Sequence, residues 1–214
     1  MAKFSEQMEQ WGGDFGKEYT DRNALSLQDL EQLNKKQFGI TRSEMNANFI
    51  GGMDRDIRIL EVGSNIGNQL MILQDMGFSQ LYGIDVQSYA VELAKSRTKN
   101  INIIQGSAFD IPFKDGFFDL VFTAGVLIHI APQDINRVLD EIYRCTRRYI
   151  WGMEYYSEAY TEIPYRQHAQ LLWKADFPQL FLDRFKNLAL VKKKLFKYTQ
   201  SDNVDAMYVL KKNE

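Results

Sequence analysis

Ile57-Arg58-Ile59-Leu60-Glu61-Val62-Gly63-Ser64-Asn65-Ile66-Gly67-Asn68 is the stretch on which the reading of the fold turns. A largely apolar run ends in an acidic residue. A glycine turn follows, and then a helix expected from about Asn68 to Met76. Gly63 permits a tight turn and close approach of the backbone to a ligand. The helix start behind it offers free N–H groups. A dinucleotide pyrophosphate is often held at such a place, but two details oppose that here. Only Gly63 and Gly67 stand where a Gly-x-Gly-x-x-Gly pattern would be required. Glu61 also sets a carboxylate at the strand end, where it would repel pyrophosphate. A ligand bearing a cationic amino group suits that carboxylate better.

On both sides of this stretch the pattern is regular. Strands are expected at Gln80 to Asp85, Ile101 to Gln105, Phe118 to Thr123 and Tyr149 to Glu154, with helices at Ser88 to Arg97 and Asp134 to Cys145. Leu188 to Phe196 and Ala206 to Lys211 add two strands with no helix between them, as in a closing antiparallel hairpin. The alternation predicts an α/β fold: a Rossmann-like, mostly parallel seven-stranded sheet with helices on both faces. Residues 1–56 read as a polar, mostly helical lid broken by Gly12-Gly13 and Gly51-Gly52. Leu27, Leu30, Leu33 and Phe38 there fall near helical spacing. Residues 155–187 interrupt the alternation and are rich in Tyr, Trp, His and Arg. An insertion after the fifth strand sits at the sheet edge where ligands bind. The chain therefore divides into a lid (1–56), a cofactor-binding core (57–154), a substrate-side insertion (155–187) and a closing hairpin (188–214), all in one domain.

Composition narrows the partners. The 214 residues carry 26 Lys and Arg against 28 Asp and Glu, a formal net charge of −2, without a long basic block. Nucleic acid is not the expected partner, because phosphate binding wants a concentrated basic field. Cys145 is the one cysteine, so no internal disulfide is expected. No apolar run approaches the ~20 residues that span a bilayer, and Met1 to Gln10 has no apolar signal core. The expectation is a cytoplasmic protein without a membrane span.

The other strand ends supply matching chemistry. Asp85 comes 18 residues after Gly67, at the end of the second strand, where an acid can accept protons from both hydroxyls of a ribose. Val86 would lie against an adenine face. Gly106-Ser107-Ala108-Phe109 would border the adenine edge, with the Ala108 N–H bonding a ring nitrogen. Singly, each has a plainer reading: Asp85 as a helix cap, Ser107 as a turn residue, Glu61 as a structural acid. As a set at matching strand ends they define a nucleoside site.

These residues also carry a family resemblance. Leu60 to Gly67, then Gly83-Ile84-Asp85, then Ile111-Pro112-Phe113-Lys114-Asp115-Gly116-Phe117-Phe118-Asp119-Leu120-Val121, then Gly125-Val126-Leu127-Ile128-His129-Ile130, resemble class I methyltransferases in order and spacing. The likeness covers about residues 57–150 and implies S-adenosylmethionine as cofactor. Its methionyl amino group would face Glu61, and Gly63, Ser64, Asn65, Gly67, Asp85, Val86, Ser107, Ala108 and Gly125 would border it. Ser107 stands where many members have Asp. The flanks resemble, more narrowly, methyltransferases associated with pseudaminic acid biosynthesis. The matching runs are Trp11 to Asn23, Glu154-Tyr155-Tyr156, Ile163-Pro164-Tyr165-Arg166 and Leu172 to Phe177. This implies a small-molecule, sugar-linked acceptor: a sugar or surface-glycan precursor.

Sugar sites commonly pair aromatic faces with polar groups. Trp11, Tyr19 and Arg22 would form a lid that excludes water, with Arg22 reaching the cofactor carboxylate. The competing reading has Trp11 and Tyr19 merely docking the N-terminal helix. Tyr155, Tyr156, Tyr165 and Arg166 would orient the acceptor, although Arg166 also reads as a solvated residue. Trp173 and Phe177 read as core. A hydroxyl nucleophile needs its proton removed, and Glu154, His129 and His168 are the expected groups, with His129 equally readable as a packed histidine. No metal-ligand spacing stands out, so a metal-independent reaction is expected. The alternatives are a non-catalytic module that binds cofactor or partner, a methyltransferase acting on a protein or small amine, and, more weakly, a nicotinamide-dependent oxidoreductase.

Overall fold

The structure, a computed structural model, describes residues 6–165 and 170–213. Four helices come first: α1 (Glu6–Gly12), α2 (Asp14–Arg22), α3 (Leu27–Phe38) and α4 (Arg42–Ile50). Their limits are written locally. Ser26 caps α3 by accepting from the Asp29 N–H, and Gly39 ends it in the left-handed region at φ 74°. Thr41 and Glu44 form a reciprocal capping box at the start of α4.

The sheet follows as β1 (Arg58–Val62), β2 (Gln80–Asp85), β3 (Asn102–Gln105), β4 (Phe118–Ala124) and β5 (Thr146–Tyr155), with α5 (Asn68–Asp75), α6 (Ser88–Arg97) and α7 (Ile135–Cys145) between them. A short hairpin, β6 (Thr161–Glu162) with β7 (Trp173–Lys174), and α8 (Phe177–Arg184) fill the segment expected as an insertion. The chain closes with β8 (Leu188–Lys197) and β9 (Val204–Lys212). The seven strands of the main sheet run in the order β3-β2-β1-β4-β5-β9-β8. β1 to β5 are parallel, and β9 is antiparallel to both β5 and β8. The α/β architecture and closing hairpin are as expected. β5 and β9 run longer than their apolar cores suggested, because their ends are paired: Thr146 with Phe118 of β4, Tyr155 with Asp205, and Val204 and Lys212 with Lys197 and Leu188 of β8.

Strand alternation divides the core between the two faces. Leu60, Val62 and Val121 join a cluster with Val138, Ile142, Phe177 and Phe181 under α7 and α8. Ile59, Leu120 and Phe122 face the other way and pack with Met45, Leu70, Leu73 and Val91 from α4, α5 and α6. Trp173 and Phe177 are buried at 4% and 1% exposure, the core role expected of them. The order of strands reverses between β1 and β4, so a crevice opens outside their carboxyl ends. Among the described residues, no helix is long and apolar enough to cross a membrane.

Candidate active site

A cavity of about 260 Å³ occupies that crevice. Its floor is the β1–α5 turn. The Gly63 and Ser64 N–H groups both donate to the Ile84 carbonyl, at 2.8 and 2.9 Å, which fixes the turn to β2. Gly63 sits at φ 73° and has no room for a side chain, since a Cβ there would lie 2.5 Å from Val126 Cγ2. Gly67, at φ 79°, leads into α5 without a side-chain cap. The first N–H groups of that helix are therefore free of a capping side chain.

Two buried acids face this floor. Asp85 is already engaged once on each oxygen, Oδ2 accepting the Asn65 N–H at 2.7 Å and Oδ1 the Gln87 N–H at 2.9 Å. Glu61 is 3% exposed, and its Oε2 has no hydrogen-bond partner. Burial pushes its carboxyl well up and the Asp85 charge adds to the effect, while the Arg42 guanidinium opposes it. Burial also raises Asp85, against the bonds it accepts. An orphaned, buried carboxylate oxygen is costly unless a ligand satisfies it, and a cationic amino group is the chemistry that does so. Ser64 Oγ, Asn68 Oδ1, Gln69 Oε1 and Trp11 Nε1 are also buried without a partner, and all belong to residues lining the cavity.

The N-terminal helices roof the cavity. Met8, Trp11 and Tyr19 line it from α1 and α2, and Leu30 and Leu33 from α3. Side chains of the floor hold this roof down. The Gln87 amide donates to the carbonyls of Gly13 (2.8 Å) and Trp11 (3.3 Å), and the Asn65 amide to Thr20 Oγ1 (3.1 Å). The Trp11 ring lies 4.4 Å from that of His129 and 5.1 Å from that of Tyr19, centroid to centroid. His129 is half-buried and lines the cavity. Its Nδ1 lies 2.7 Å from the Leu171 carbonyl. A carbonyl only accepts, so Nδ1 carries the hydrogen and Nε2 keeps its lone pair. Burial pushes this imidazole down to about 4, so it is neutral at physiological pH.

The expected residues separate into three groups. Glu61, Gly63, Ser64, Asn65, Asp85, Val86, Ser107, Ala108, Gly125, Trp11, Tyr19 and His129 all line the cavity. Gly67 shapes the turn beneath it, and Tyr165 contacts the His129 ring from 5.6 Å. Four others stand elsewhere. Arg22 pairs with Glu18 at 3.6 Å on α2 and does not line the cavity. Tyr155 packs against Tyr198, and Tyr156 lies under Lys193. Tyr155 pairs with Asp205 at the end of the β5–β9 ladder, and neither tyrosine lines the cavity. Glu154 is 1% exposed and does not line the cavity. Arg166 and His168 lie outside the described residues. Sequence reasoning passed over Met8, Leu25, Leu30, Leu33, Gln69, Gln87 and the buried Arg42. Of these only Leu30 and Leu33 carried a signal, an apolar stripe on an otherwise polar helix. Among the described residues no group of His, Cys, Asp and Glu gathers as a metal site.

Known proteins resemble this chain in domain and fold. Residues 60–149 match the family model described as a methyltransferase domain. A phosphoethanolamine N-methyltransferase of Plasmodium falciparum is 25% identical over 95 residues, covering 43% of this chain and 36% of that protein. The chain spans about a third of the length of the curated relatives it matches. Among solved structures, a 1,6-didemethyltoxoflavin-N1-methyltransferase from Burkholderia thailandensis, bound to S-adenosylhomocysteine, superposes with a TM-score of 0.70 at 16% identity. The match covers 100% of this chain and 93% of that one. A magnesium protoporphyrin IX methyltransferase from Synechocystis, with bound S-adenosylmethionine, gives a TM-score of 0.69 at 12% identity over 100% of both chains. Residues 60–149 are thus a methyltransferase domain by sequence, and the chain as a whole has the fold of class I S-adenosylmethionine-dependent methyltransferases. S-adenosylmethionine is the cofactor of that class, and the orphaned Glu61 oxygen beside Asp85 fits its amino group and ribose.

Proposed function

We propose that the chain transfers a methyl group from S-adenosylmethionine to a hydroxyl or amine of a small acceptor, and that the acceptor is a sugar or surface-glycan precursor. The observation that carries the first half is the unpartnered Glu61 Oε2, buried at the end of β1 on a residue that lines the cavity together with Asp85. The second half is supported by the resemblance of the flanking segments. Aromatic rings with polar tips, Trp11, Tyr19 and Tyr165, also gather around His129.

When bound, S-adenosylmethionine supplies an electrophilic methyl group on a sulfonium. The residues of the chain do the rest. Glu61 takes the amino group, and Asp85 offers its remaining lone pairs to the ribose hydroxyls. Val86, Ser107 and Ala108 wall the adenine side, and Gly125 keeps the floor after β4 open. His129 accepts the acceptor's proton on Nε2, whose lone pair is free at neutral pH. The helices of residues 1–56 act as a lid whose Trp11 and Tyr19 exclude water from the transfer.

Two measurements test this. Calorimetric titration should find S-adenosylmethionine binding in the wild type and a much weaker signal in Glu61→Ala, and equal affinity would refute the cofactor assignment. Labelled S-adenosylmethionine incubated with cell-extract fractions should place the methyl in sugar-containing material. Label that enters protein or RNA instead sinks the glycan reading and leaves the cofactor reading intact.

A further inference from the structure

We infer that Glu154 is a positioning residue: its buried carboxylate clamps the segment after β4 that carries His129 and abuts the cofactor turn, and it does not itself take a proton from the acceptor. The inference rests on reading the cavity as a methyltransferase active site. By position Glu154 looks like a catalytic acid, since it stands near the end of β5 at the ligand edge of the sheet. Its surroundings are those of a structural anion. Oε1 accepts the Val126 N–H at 3.2 Å and Oε2 the Ile128 N–H at 3.4 Å.

Both donors are peptide N–H groups at the entry of a single 3₁₀ turn, Leu127–His129. Such groups have no partner within the turn, and an anion is the natural one. Gly125, at φ 69°, turns the chain so that they converge. Without Glu154 they would be buried donors lacking acceptors.

The clamp reaches the site at two points. His129 follows Ile128 directly, and its ring is fixed from the far side by the Leu171 carbonyl at 2.7 Å. The Tyr160 hydroxyl donates to the Ile130 carbonyl at 2.8 Å and closes the segment. On the near side Val126 fills the space above Gly63, where a Cβ would lie only 2.5 Å from it. A shift of this segment therefore moves the base and disturbs the cofactor turn together. An amide cannot replace the carboxylate. Glutamine has one acceptor oxygen, and its NH₂ would face an N–H of Val126 or Ile128.

The test is Glu154→Gln, read by S-adenosylmethionine titration, by kinetics against pH and by amide hydrogen exchange. The clamp predicts a cofactor Kd raised roughly 10-fold, the loss of one hydrogen bond to a charged group. It also predicts faster exchange at Val126 to His129, and a kcat–pH profile that keeps the limb set by His129. Val126→Ala, which leaves the acid intact, should weaken cofactor binding a few-fold with His129 undisturbed. It serves as the test should Glu154→Gln not fold. The inference is overturned if Glu154→Gln binds cofactor at wild-type Kd, with unchanged exchange, while kcat collapses and a pH limb disappears. That result would make Glu154 the base. Unchanged cofactor affinity in Val126→Ala would overturn it as well. Should the wild type bind no S-adenosylmethionine, the active-site reading fails on its own, and the exchange rates still report on the clamp.

Discussion

Glu61 and Glu154 stand at the carboxyl end of β1 and near that of β5, on either side of β4, and they are 3% and 1% exposed. Burial pushes both carboxyls up, Glu61 well above its ordinary range and Glu154 to about 7. Their bonding separates them. Glu154 spends both oxygens on its own backbone, at Val126 and Ile128. Glu61 keeps one oxygen without a partner, at the wall of a cavity. A buried acid that the chain satisfies belongs to the scaffold, and one that it leaves unsatisfied waits for a ligand. Asp85 is intermediate, with each oxygen engaged once and lone pairs to spare.

If the two glutamates serve position and binding, proton removal falls to His129, and this gives the largest expected effect. His129→Gln should lower kcat toward a hydroxyl acceptor by about 10²–10⁴-fold, the usual worth of a positioned base, with S-adenosylmethionine affinity unchanged. The pH profile sharpens the contrast. His129 is held down to about 4, so its lone pair is available above that pH and is lost only as protons bind below it. Glu154, pushed up to about 7, sets an inflection of its own as its clamp takes a proton, and the limb that belongs to His129 should fall near 4. An inflection near 6.5 that vanishes in His129→Gln would contradict the buried, neutral imidazole.

Glu61→Gln comes next and has two effects of opposite sign. Cofactor affinity should drop about 10–100-fold, one hydrogen bond to a charged group. Stability without cofactor should rise as pH climbs above the ordinary carboxyl range, because the variant cannot ionise at a buried site where the wild-type charge lacks a bonded partner. The linkage follows from the raised pKa. Above the ordinary value near 4.5 the unfolded chain has lost this proton while the folded one still holds it. The wild type thus loses stability with rising pH until the folded group ionises. The variant should lack that slope. A cationic ligand favours the ionised acid, so wild-type affinity should climb with pH over the same window and the variant's should not. Thermal melts and titrations at several pH values measure both. A Glu61→Gln variant that is less stable than the wild type would place Glu61 with Glu154, among the scaffold acids.

The difference between the two acids also marks how far the sequence could be read. The floor was legible because its determinants are neighbours in the chain: Glu61, Gly63 and Gly67 in one turn, Asp85 and Val86 at the next strand end. The sheet was legible because apolar runs alternate with helical spacing from Ile57 to Glu154. Glu154 itself was legible as an acid at a strand end, but not as a clamp. Its partners are backbone N–H groups 26 and 28 residues away, and backbone donors leave no trace in side-chain identity. The positions of Tyr155 and Tyr156 were not legible, for a related reason. The register of β5 on β9 sets which way they leave the sheet, and register depends on a strand about fifty residues further on. The roof was half legible: its helices declare themselves by caps, but which of their faces meets the floor depends on long-range packing.

The smallest effect expected is at the joint between roof and floor. Gln87 gives its backbone N–H to Asp85 and its side-chain amide to the carbonyls of Gly13 and Trp11. One residue thus ties the ribose-side acid to the break between α1 and α2. Gln87→Ala keeps the backbone bond to Asp85 and removes the two latches. Each is a neutral hydrogen bond worth about 1 kcal/mol, and the roof is held as well by Asn65 on Thr20 and by Trp11 packed on His129. The expected outcome is a roughly 2- to 5-fold faster release of S-adenosylmethionine, with the chemical step in a single turnover unchanged. Stopped-flow dissociation measures the first and a quenched single-turnover assay the second. Release at the wild-type rate would mean that the roof does not control the exit. A slowed chemical step would mean that Gln87 acts on Asp85 through more than its backbone, and that the floor and the roof are one unit.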